Sequence, residues 1–374
     1  MLKELYIDNY KSLVNFKYEP TSLQLLVGDN GSGKTSVFDV LENLRDIVID
    51  GLAVSQAFPT NTLTVWDQRP VQRFELALSD GGEDYAYELR IEHDRSAAKS
   101  QIGYEAVLMN GQLLYEFENA EVRLFRDDNS RNTEFPFDGV RSGIATIPDL
   151  PSTQRLNRFR QRMAGLVIFS PDPIRMTATS DAELASPGRQ MHRLASWLRH
   201  LTQENSTTLS ELQQILAKGV LPGLIQIKLE RVSEGTRVLK LEFQTDSTPT
   251  NGKGALRYLL TFDQLSAGQR NLVALYAILC AGINAETTLC IDEPDNYVAL
   301  REVQPWLIAL RDQVEDSGGQ CLLISHHPEL LNYLAANHGV IFYRDEGGPT
   351  RVRRFESSSE QLLTPAELVA RGWE

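Results

Sequence analysis

Gly28-Asp29-Asn30-Gly31-Ser32-Gly33-Lys34-Thr35 fits the pattern G-x-x-x-x-G-K-[ST], and its setting makes it readable as a phosphate loop. The apolar run Leu23-Gln24-Leu25-Leu26-Val27 precedes it, and a helix-compatible stretch from Ser36 to Arg45 follows. Each residue type has a physical task. The glycines let the backbone turn tightly enough to aim successive N–H groups at phosphate oxygens, so Gly28, Asn30, Gly31, Ser32, Gly33 and Ser36 form the expected cradle. The Lys34 ammonium supplies a point charge for the β- and γ-phosphates, and the Thr35 hydroxyl can ligate Mg²⁺. A nucleoside triphosphate with Mg²⁺ is the ligand this stretch implies.

The chain has 374 residues, 42% of them hydrophobic, enough to bury a large core in two or three structural units. It holds no run of 18 apolar residues, and Met1-Leu2-Lys3-Glu4-Leu5-Tyr6-Ile7 starts as a charged strand and not as a signal peptide. A cytoplasmic protein without a membrane segment is expected. Cys280, Cys290 and Cys321 lie in apolar segments without the paired spacing of a zinc site, and read as reduced core residues. The net charge of −13 argues against a globally basic nucleic-acid binder. Locally the balance reverses: between Pro151 and His200, Arg155, Arg158, Arg160, Arg162, Arg175, Arg189, Arg193 and Arg199 face only Asp172, Asp181 and Glu183. Arg155, Arg158 and Arg162 would share one helical face, either solvated and paired within the chain or open to DNA, RNA or an acidic partner.

Period changes mark the organisation. From about residue 63 to 127 the pattern is strict alternation, with Phe74, Leu76 and Leu78, a turn at Asp80-Gly81-Gly82, then Tyr85, Tyr87, Leu89 and Ile91. Asn110-Gly111 signals a second hairpin, between Tyr104-Ala106-Leu108 and Leu113-Tyr115-Phe117. Asp127 to Ser152 is polar and reads as a loop. A short strand at Gly165 to Phe169 precedes helical periodicity at Arg189 to Leu201 and at Thr208 to Leu216, the latter with a capping box at Thr208-Leu209-Ser210-Glu211. Alternating Ile225 to Leu229 and Val238 to Phe243 return to β structure, and Ser247 to Gly254 reads as a polar turn.

A second constellation lies downstream. Leu265-Ser266-Ala267-Gly268-Gln269-Arg270 opens a helix-compatible run, Leu289 to Asp295 is an apolar strand ending in Asp292-Glu293-Pro294-Asp295, and Cys321 to His327 is another ending in Ser325-His326-His327. Gly268 stands 24 residues before Asp292, and Asp292 stands 34 before His326, room in each case for a helix and a strand. In order and spacing these elements resemble the ABC-type ATPase heads. The resemblance implies an α/β P-loop NTPase of ABC-ATPase head type, with a mixed central sheet, an antiparallel β lobe and a helical lobe. It makes Leu265 to Gln269, with Ser266, Gly268 and Gln269, the signature motif; Asp292 the metal partner beside Thr35; Glu293 the catalytic carboxylate; Asp295 to Tyr297 the D-loop; and His326 the switch histidine, favoured over His327 because Ser-His-x-Pro is similar to the family's Thr-His-Ser-Pro. A free helix N-terminus at Ser266 suits a γ-phosphate, and an acid beside the metal-holding acid suits a water-activating role. In that family the signature helix faces the nucleotide of a second copy, so an ATP-dependent, head-to-tail homodimer is implied.

The 240 residues between Gly28 and Gly268 exceed the spacing of a compact transporter ATPase. The insert resembles RecF and the AAA-type ATPases related to the OLD (overcoming lysogenization defect) proteins: Tyr10-Lys11-Ser12 matches a lysine position near the nucleotide, Val167 to Asp172 a strand-Ser-Pro-acid element, and Val220-Leu221-Pro222-Gly223 a Leu-Pro-Gly element. The sequence departs from the family at Asn296 to Leu300, which lacks its Leu-His-Pro, and it shows no clear Q-loop glutamine; Ser170, Asp172 and Gln190 are the candidates. The expected organisation is an ATPase core from 1–50 and 255–374, a β lobe from 51–150, an arginine-rich helical insert from 151–222 and a β-hairpin from 223–254. OLD nucleases continue into a Toprim domain, and the 47 residues after His327 are too few for one. By family analogy the expectation is a stand-alone ATP-hydrolysing switch that controls a separately encoded nuclease or toxin in bacterial anti-phage defence. A RecF-like DNA maintenance ATPase using the Arg155–Arg162 region and a non-hydrolysing ATP-binding scaffold are the alternatives.

Overall fold

The computed structural model describes residues 1–245, 256–355 and 363–371; the expected turn from Ser247 to Gly254 lies outside them. Among the described residues the strands form three sheets. The first is antiparallel and eight-stranded, built from β1 (Leu2–Asp8), β2 (Phe16–Tyr18), β4 (Val71–Asp80), β5 (Glu83–Asp94), β6 (Lys99–Met109), β7 (Gln112–Glu118), β8 (Glu121–Phe125) and β9 (Arg131–Pro136) in the order β2-β1-β4-β5-β6-β7-β8-β9. The second contains β3 (Leu23–Val27), β10 (Leu166–Phe169), β15 (Thr288–Asp292), β16 (Gln320–Ile324), β17 (Gly339–Arg344) and β18 (Thr350–Arg354) in the order β10-β15-β16-β3-β17-β18, with every neighbour parallel except β17 and β18. A small third sheet joins β11 (Thr179–Ser180), β12 (Leu224–Arg231), β13 (Arg237–Gln244) and β14 (Arg257–Thr261).

Alternation along the parallel strands divides the interior in two. Leu25, Val27, Cys321 and Leu323 face a core shared with the helices α4 (Leu194–Glu204), α5 (Thr208–Gly219), α6 (Ala267–Ala281) and α7 (Leu300–Ser317). Leu26, Leu322 and Ile324 face the other core, which they share with α1 (Lys34–Ile49), the short α2 (Val54–Ala57), α3 (Gln154–Ala164) and the antiparallel sheet. A parallel sheet covered on both faces explains why its strands read as continuous apolar runs. Cys290 and Cys321 are buried in β15 and β16, and Cys280 is half-buried in α6. Because the parallel strands run in register, their C-terminal ends assemble at one edge, the place where open α/β sheets bind ligands. None of the described helices is long and apolar enough to cross a membrane.

Several local expectations shift. β1 pairs with β4, so the antiparallel sheet crosses the expected boundary at residue 50, and β10 from the expected helical insert is a strand of the parallel sheet. The polar stretch Asp127 to Ser152 contains β9, whose residues are largely exposed because it is an edge strand with little to bury. The helix expected from Arg189 begins at Leu194, since Met191 at φ +56° breaks a right-handed helix. The capping box expected at Thr208 is not formed: Thr207 is the N-cap, and its hydroxyl bonds the Glu211 carboxylate at 2.5 Å. At Asn110-Gly111 both turn residues have positive φ (49° and 78°), as a two-residue hairpin turn requires.

The arginine-rich stretch is largely consumed within the chain. Arg162 is buried on α3, bonded to Asp80 and to the Ala285 carbonyl, while Arg158 on the same face reaches Asp80 at 3.3 Å. Arg160 pairs with Asp149, Arg175 with Asp172, Arg189 with Asp39 and Glu42, and Arg199 with Glu183. Of the two expected roles for this face, pairing within the chain is the one seen at Arg158 and Arg162, which fix α3 to the β4 end.

Inside the antiparallel lobe, Glu105 is fully buried and accepts hydrogen bonds from Tyr87 (2.9 Å), Tyr115 (3.0 Å) and Ser142 (2.7 Å). Burial pushes its carboxyl up from 4.5 to about 7, with the three hydroxyls offsetting part of the rise. A raised carboxyl binds its proton more tightly in the folded state, so its contribution to stability is complete below about pH 4.5 and is lost as pH climbs toward 7. The loss is on the order of 3 kcal/mol. Glu105→Gln should remove it: the gap between the urea midpoints of variant and wild type should change between pH 5 and pH 7.5, moving in the variant's favour as pH rises. A gap independent of pH would contradict this assignment.

Candidate nucleotide-binding site

The phosphate-loop sequence leaves β3 at Val27 and enters α1 at Lys34. Gly28 has φ +143°, and a Cβ there would lie 2.0 Å from the Phe342 carbonyl oxygen, so β17 supports the loop directly and only glycine fits. Lys34 curls back into the loop, its Nζ donating to the carbonyls of Gly28 (2.6 Å) and Asp29 (2.9 Å) and to the Ser32 hydroxyl (3.3 Å). Burial pushes the ammonium below its usual range, and the carboxylates of Asp292, Asp29 and Glu293 pull it back up. Ser32 itself is buried beneath the loop, its carbonyl accepting from Thr350 at 2.9 Å. Asn30, Gly31, Gly33, Lys34, Thr35 and Ser36 line a cavity of about 420 Å³, and Lys11 also lines it.

The acids meet this loop from the neighbouring strand ends. Asp292 ends β15 almost fully buried, with the Thr35 hydroxyl near enough to favour its ionised form. Desolvation pushes its carboxyl up; the Thr35 hydroxyl opposes this, and the neighbouring Glu293 carboxylate reinforces it. Glu293 lines the cavity at φ +51°, a left-handed conformation costing about 1 kcal/mol or more in a non-glycine residue. Two contacts hold it there: its N–H donates to the Ile324 carbonyl at 2.8 Å, and Asn296 donates to its carboxylate at 2.8 Å. Asn271 of α6 in turn donates to the carbonyls of Pro294 and Asn296, each at 2.8 Å. The segment after the acids is thus tied to the helix that begins at the signature.

The two histidines have different surroundings. His326 lines the cavity, and burial together with the Lys34 charge pushes its pKa down. His327 caps the helical turn at Pro328–Leu330, its Nδ1 accepting from the Glu329 N–H at 3.2 Å and its own N–H donating to Ser325 at 2.9 Å. Ser325 donates to Asp295 at 2.6 Å.

Ser266 is the exposed N-cap of α6, in a capping box where its hydroxyl accepts from the Gln269 N–H (3.2 Å) and the Gln269 amide oxygen accepts from the Ser266 N–H (3.0 Å). Gly268 packs against the backbone that follows the paired acids: a Cβ there would meet the Tyr297 carbonyl oxygen at 2.5 Å. Ser266, Gly268 and Gln269 do not line the cavity around Lys34. One chain therefore brings together the phosphate loop, the paired acids and His326, and leaves the signature apart.

Residues 24–332 match a protein family described as "AAA domain, putative AbiEii toxin, Type IV TA system". The chain belongs to this family. It is also 24% identical, over 93% of both chains, to a DNA replication and repair protein RecF of Stenotrophomonas maltophilia (strain R551-3). Among solved structures it resembles the Smc head domain with a coiled coil and joint derived from Pyrococcus yayanosii, at 10% identity and a TM-score of 0.50, covering 100% of this chain and 99% of that one. An SMC head domain from Thermotoga maritima aligns at 13% identity and a TM-score of 0.47, covering 95% of this chain and 99% of the other. This AAA protein is an ABC-type ATPase of the RecF and SMC group, and its mixed sheet with an antiparallel lobe is that group's head fold.

The residues that sequence reasoning missed in this AAA protein come from distant segments. The expected coupling candidates Ser170, Asp172 and Gln190 do not line the cavity; the N–H of Ser170 bonds the Arg189 carbonyl (2.8 Å), the N–H of Asp172 bonds the Gln190 carbonyl (3.1 Å), and Arg175 bonds the Gln190 side chain (3.0 Å). The side chain that crosses to the phosphate-loop helix is Arg189, which donates to Asp39 (2.8 Å) and Glu42 (2.7 Å). Asp39 also accepts from Lys11 at 2.8 Å. No local motif marks Arg189; it was visible only as one arginine among eight. Asn61, Leu63, Val65 and Trp66 from the segment before β4, and Arg344 at the end of β17, complete the cavity wall.

The donor set fits Mg²⁺. The Thr35 hydroxyl lies near the buried Asp292 carboxylate, and that carboxyl is raised by desolvation and a like charge, the environment a divalent cation would relieve.

Proposed function

We propose that this protein is an ATP-binding and ATP-hydrolysing switch of the cytoplasm, two copies of which close head to tail around shared nucleotides. The observation that carries this is the split between the cavity, with Lys34, Glu293 and His326, and the exposed, capped N-terminus of α6 at Ser266, which lies outside it. A helix N-terminus with a positive dipole end and no phosphate of its own suits the triphosphate of a second copy.

In this reading Lys34 leaves the Gly28 and Asp29 carbonyls for the phosphate oxygens. Thr35 and Asp292 would hold Mg²⁺, which when bound neutralises charge developing on the phosphates. Glu293 orients and accepts a proton from the attacking water, and His326 bonds the terminal phosphate from the other side of the cavity. The bonds from Asn296 to Glu293 and from Asn271 to the backbone of Pro294 and Asn296 give the signature helix a route to that carboxylate.

We further propose that the closed pair controls a separately encoded effector, a nuclease or toxin, in anti-phage defence. The toxin-system description of the family supports this reading, and the RecF relative supports the alternative of duplex DNA. Burial of Arg162 and the ion pairs of its neighbours weigh against DNA on that face. One retention assay separates them. Immobilised Glu293→Gln protein with Mg-ATP should retain a protein partner that Lys34→Ala protein does not. Salt-sensitive, ATP-dependent retention of duplex DNA and of no protein would favour the RecF-like reading. Absence of phosphate release from wild type would reduce the protein to an ATP-binding scaffold.

A further inference from the structure

We propose that Arg344 is a second cationic ligand for the nucleotide's phosphate chain and that Trp66 is its positioning residue. The inference rests on the ATP-binding reading above and goes beyond it by naming a grip outside the phosphate loop.

Three cations line the cavity, Lys11, Lys34 and Arg344. Lys11 is already paired with Asp39 at 2.8 Å. Lys34 rests on backbone carbonyls. Arg344 has the same kind of surroundings as Lys34: its Nε donates to the Gly348 carbonyl at 2.7 Å, one amino group donates to the Gly347 carbonyl, and the other reaches the Gly31 carbonyl of the phosphate loop at 3.4 Å. Among the described residues Arg344 makes no ion pair. In a chain of net charge −13, a guanidinium that faces a phosphate-loop cavity and hydrogen-bonds only to carbonyls keeps its full charge for an incoming anion.

The geometry favours phosphate as that anion. The 3.4 Å bond to Gly31 is the longest of the three and the one a ligand would displace. The guanidinium has five N–H donors, so two amino groups remain able to make charge-assisted bonds to phosphate while Nε keeps the turn closed. Trp66 lines the same cavity, 49% exposed, with its ring centroid 5.5 Å from the guanidinium carbon. An exposed indole beside a ligand cavity gains little from burial, and its contact here is with the arginine. It restricts the rotamers of a long side chain and holds the charge over the loop.

Calorimetric titration with ATP and with ADP tests this on wild type, Arg344→Ala, Arg344→Lys, Trp66→Ala and Trp66→Phe. Arg344→Ala should weaken ATP by about tenfold and ADP by less, because the lost interaction grows with phosphate charge. Arg344→Lys should recover part of the loss, Trp66→Ala should weaken ATP about threefold and Trp66→Phe should stay near wild type. ATP affinity within twofold of wild type in Arg344→Ala, or equal losses for ATP and ADP, would overturn the proposal. Should Arg344→Ala fail to fold, Trp66→Ala decides: an unchanged ratio of ATP to ADP affinity would overturn it. Failure of wild type itself to bind ATP would remove the underlying reading, a different outcome from normal binding by wild type and Arg344→Ala alike.

Discussion

Lys34→Ala should lower ATP affinity about a hundredfold or more, since the ammonium forms several charge-assisted bonds to the triphosphate and each is worth about 1.5–3 kcal/mol. The fold should survive. Lys34 is a buried cation whose pKa is pushed down by desolvation, and carbonyls of Gly28 and Asp29 are its main partners. Removing it exposes those carbonyls to a solvent-filled cavity that can satisfy them, so the melting temperature should stay close to wild type. Calorimetry and a thermal melt check the two halves. ATP affinity retained in the variant would contradict the phosphate-loop assignment, and a large loss of stability would show that the lysine serves chiefly to hold the loop together.

Glu293→Gln should slow phosphate release by about a hundredfold or more while leaving ATP binding intact, the range lost when a positioned general base is removed. The substitution is nearly isosteric. Glutamine at 293 can still accept the hydrogen bond from Asn296, and its N–H can still donate to the Ile324 carbonyl, so the left-handed backbone keeps both of its restraints. What disappears is the carboxylate's charge and its ability to take a proton from water. Steady-state phosphate release together with nucleotide titration separates turnover from binding. Turnover within a few-fold of wild type would shift the role to another group, and His326 is a further titratable side chain lining the cavity.

The candidate site was legible where it is written in consecutive residues. Gly28 to Thr35, Asp292-Glu293 and Ser325-His326 each sit at the C-terminal end of an apolar strand, and parallel pairing in register delivers those ends to one edge. The hairpins at Asp80 to Gly82 and at Asn110-Gly111 were legible because turn chemistry is local. What was not legible depends on distance or on the absence of burial. Arg189 reaches Asp39 across 150 residues and Arg344 reaches Gly31 across 313, and no periodicity announces such a contact. β9 escaped because an edge strand with exposed side chains has no apolar alternation to display. The helix expected from Arg189 starts later because Arg189 and Gln190 give their carbonyls to Ser170 and Asp172. His326 and His327 are identical in type and adjacent, and only the three-dimensional setting distinguishes the one lining the cavity from the one capping a helix.

The pairing of two copies is tested most directly by the mass of Glu293→Gln protein in solution, measured by light scattering with and without Mg-ATP. The account predicts a chain-sized species that doubles in mass when Mg-ATP is added, and no doubling when Ser266→Arg is combined with Glu293→Gln. A protein that binds Mg-ATP and keeps an unchanged mass, or that doubles equally well with Ser266 replaced, would contradict it.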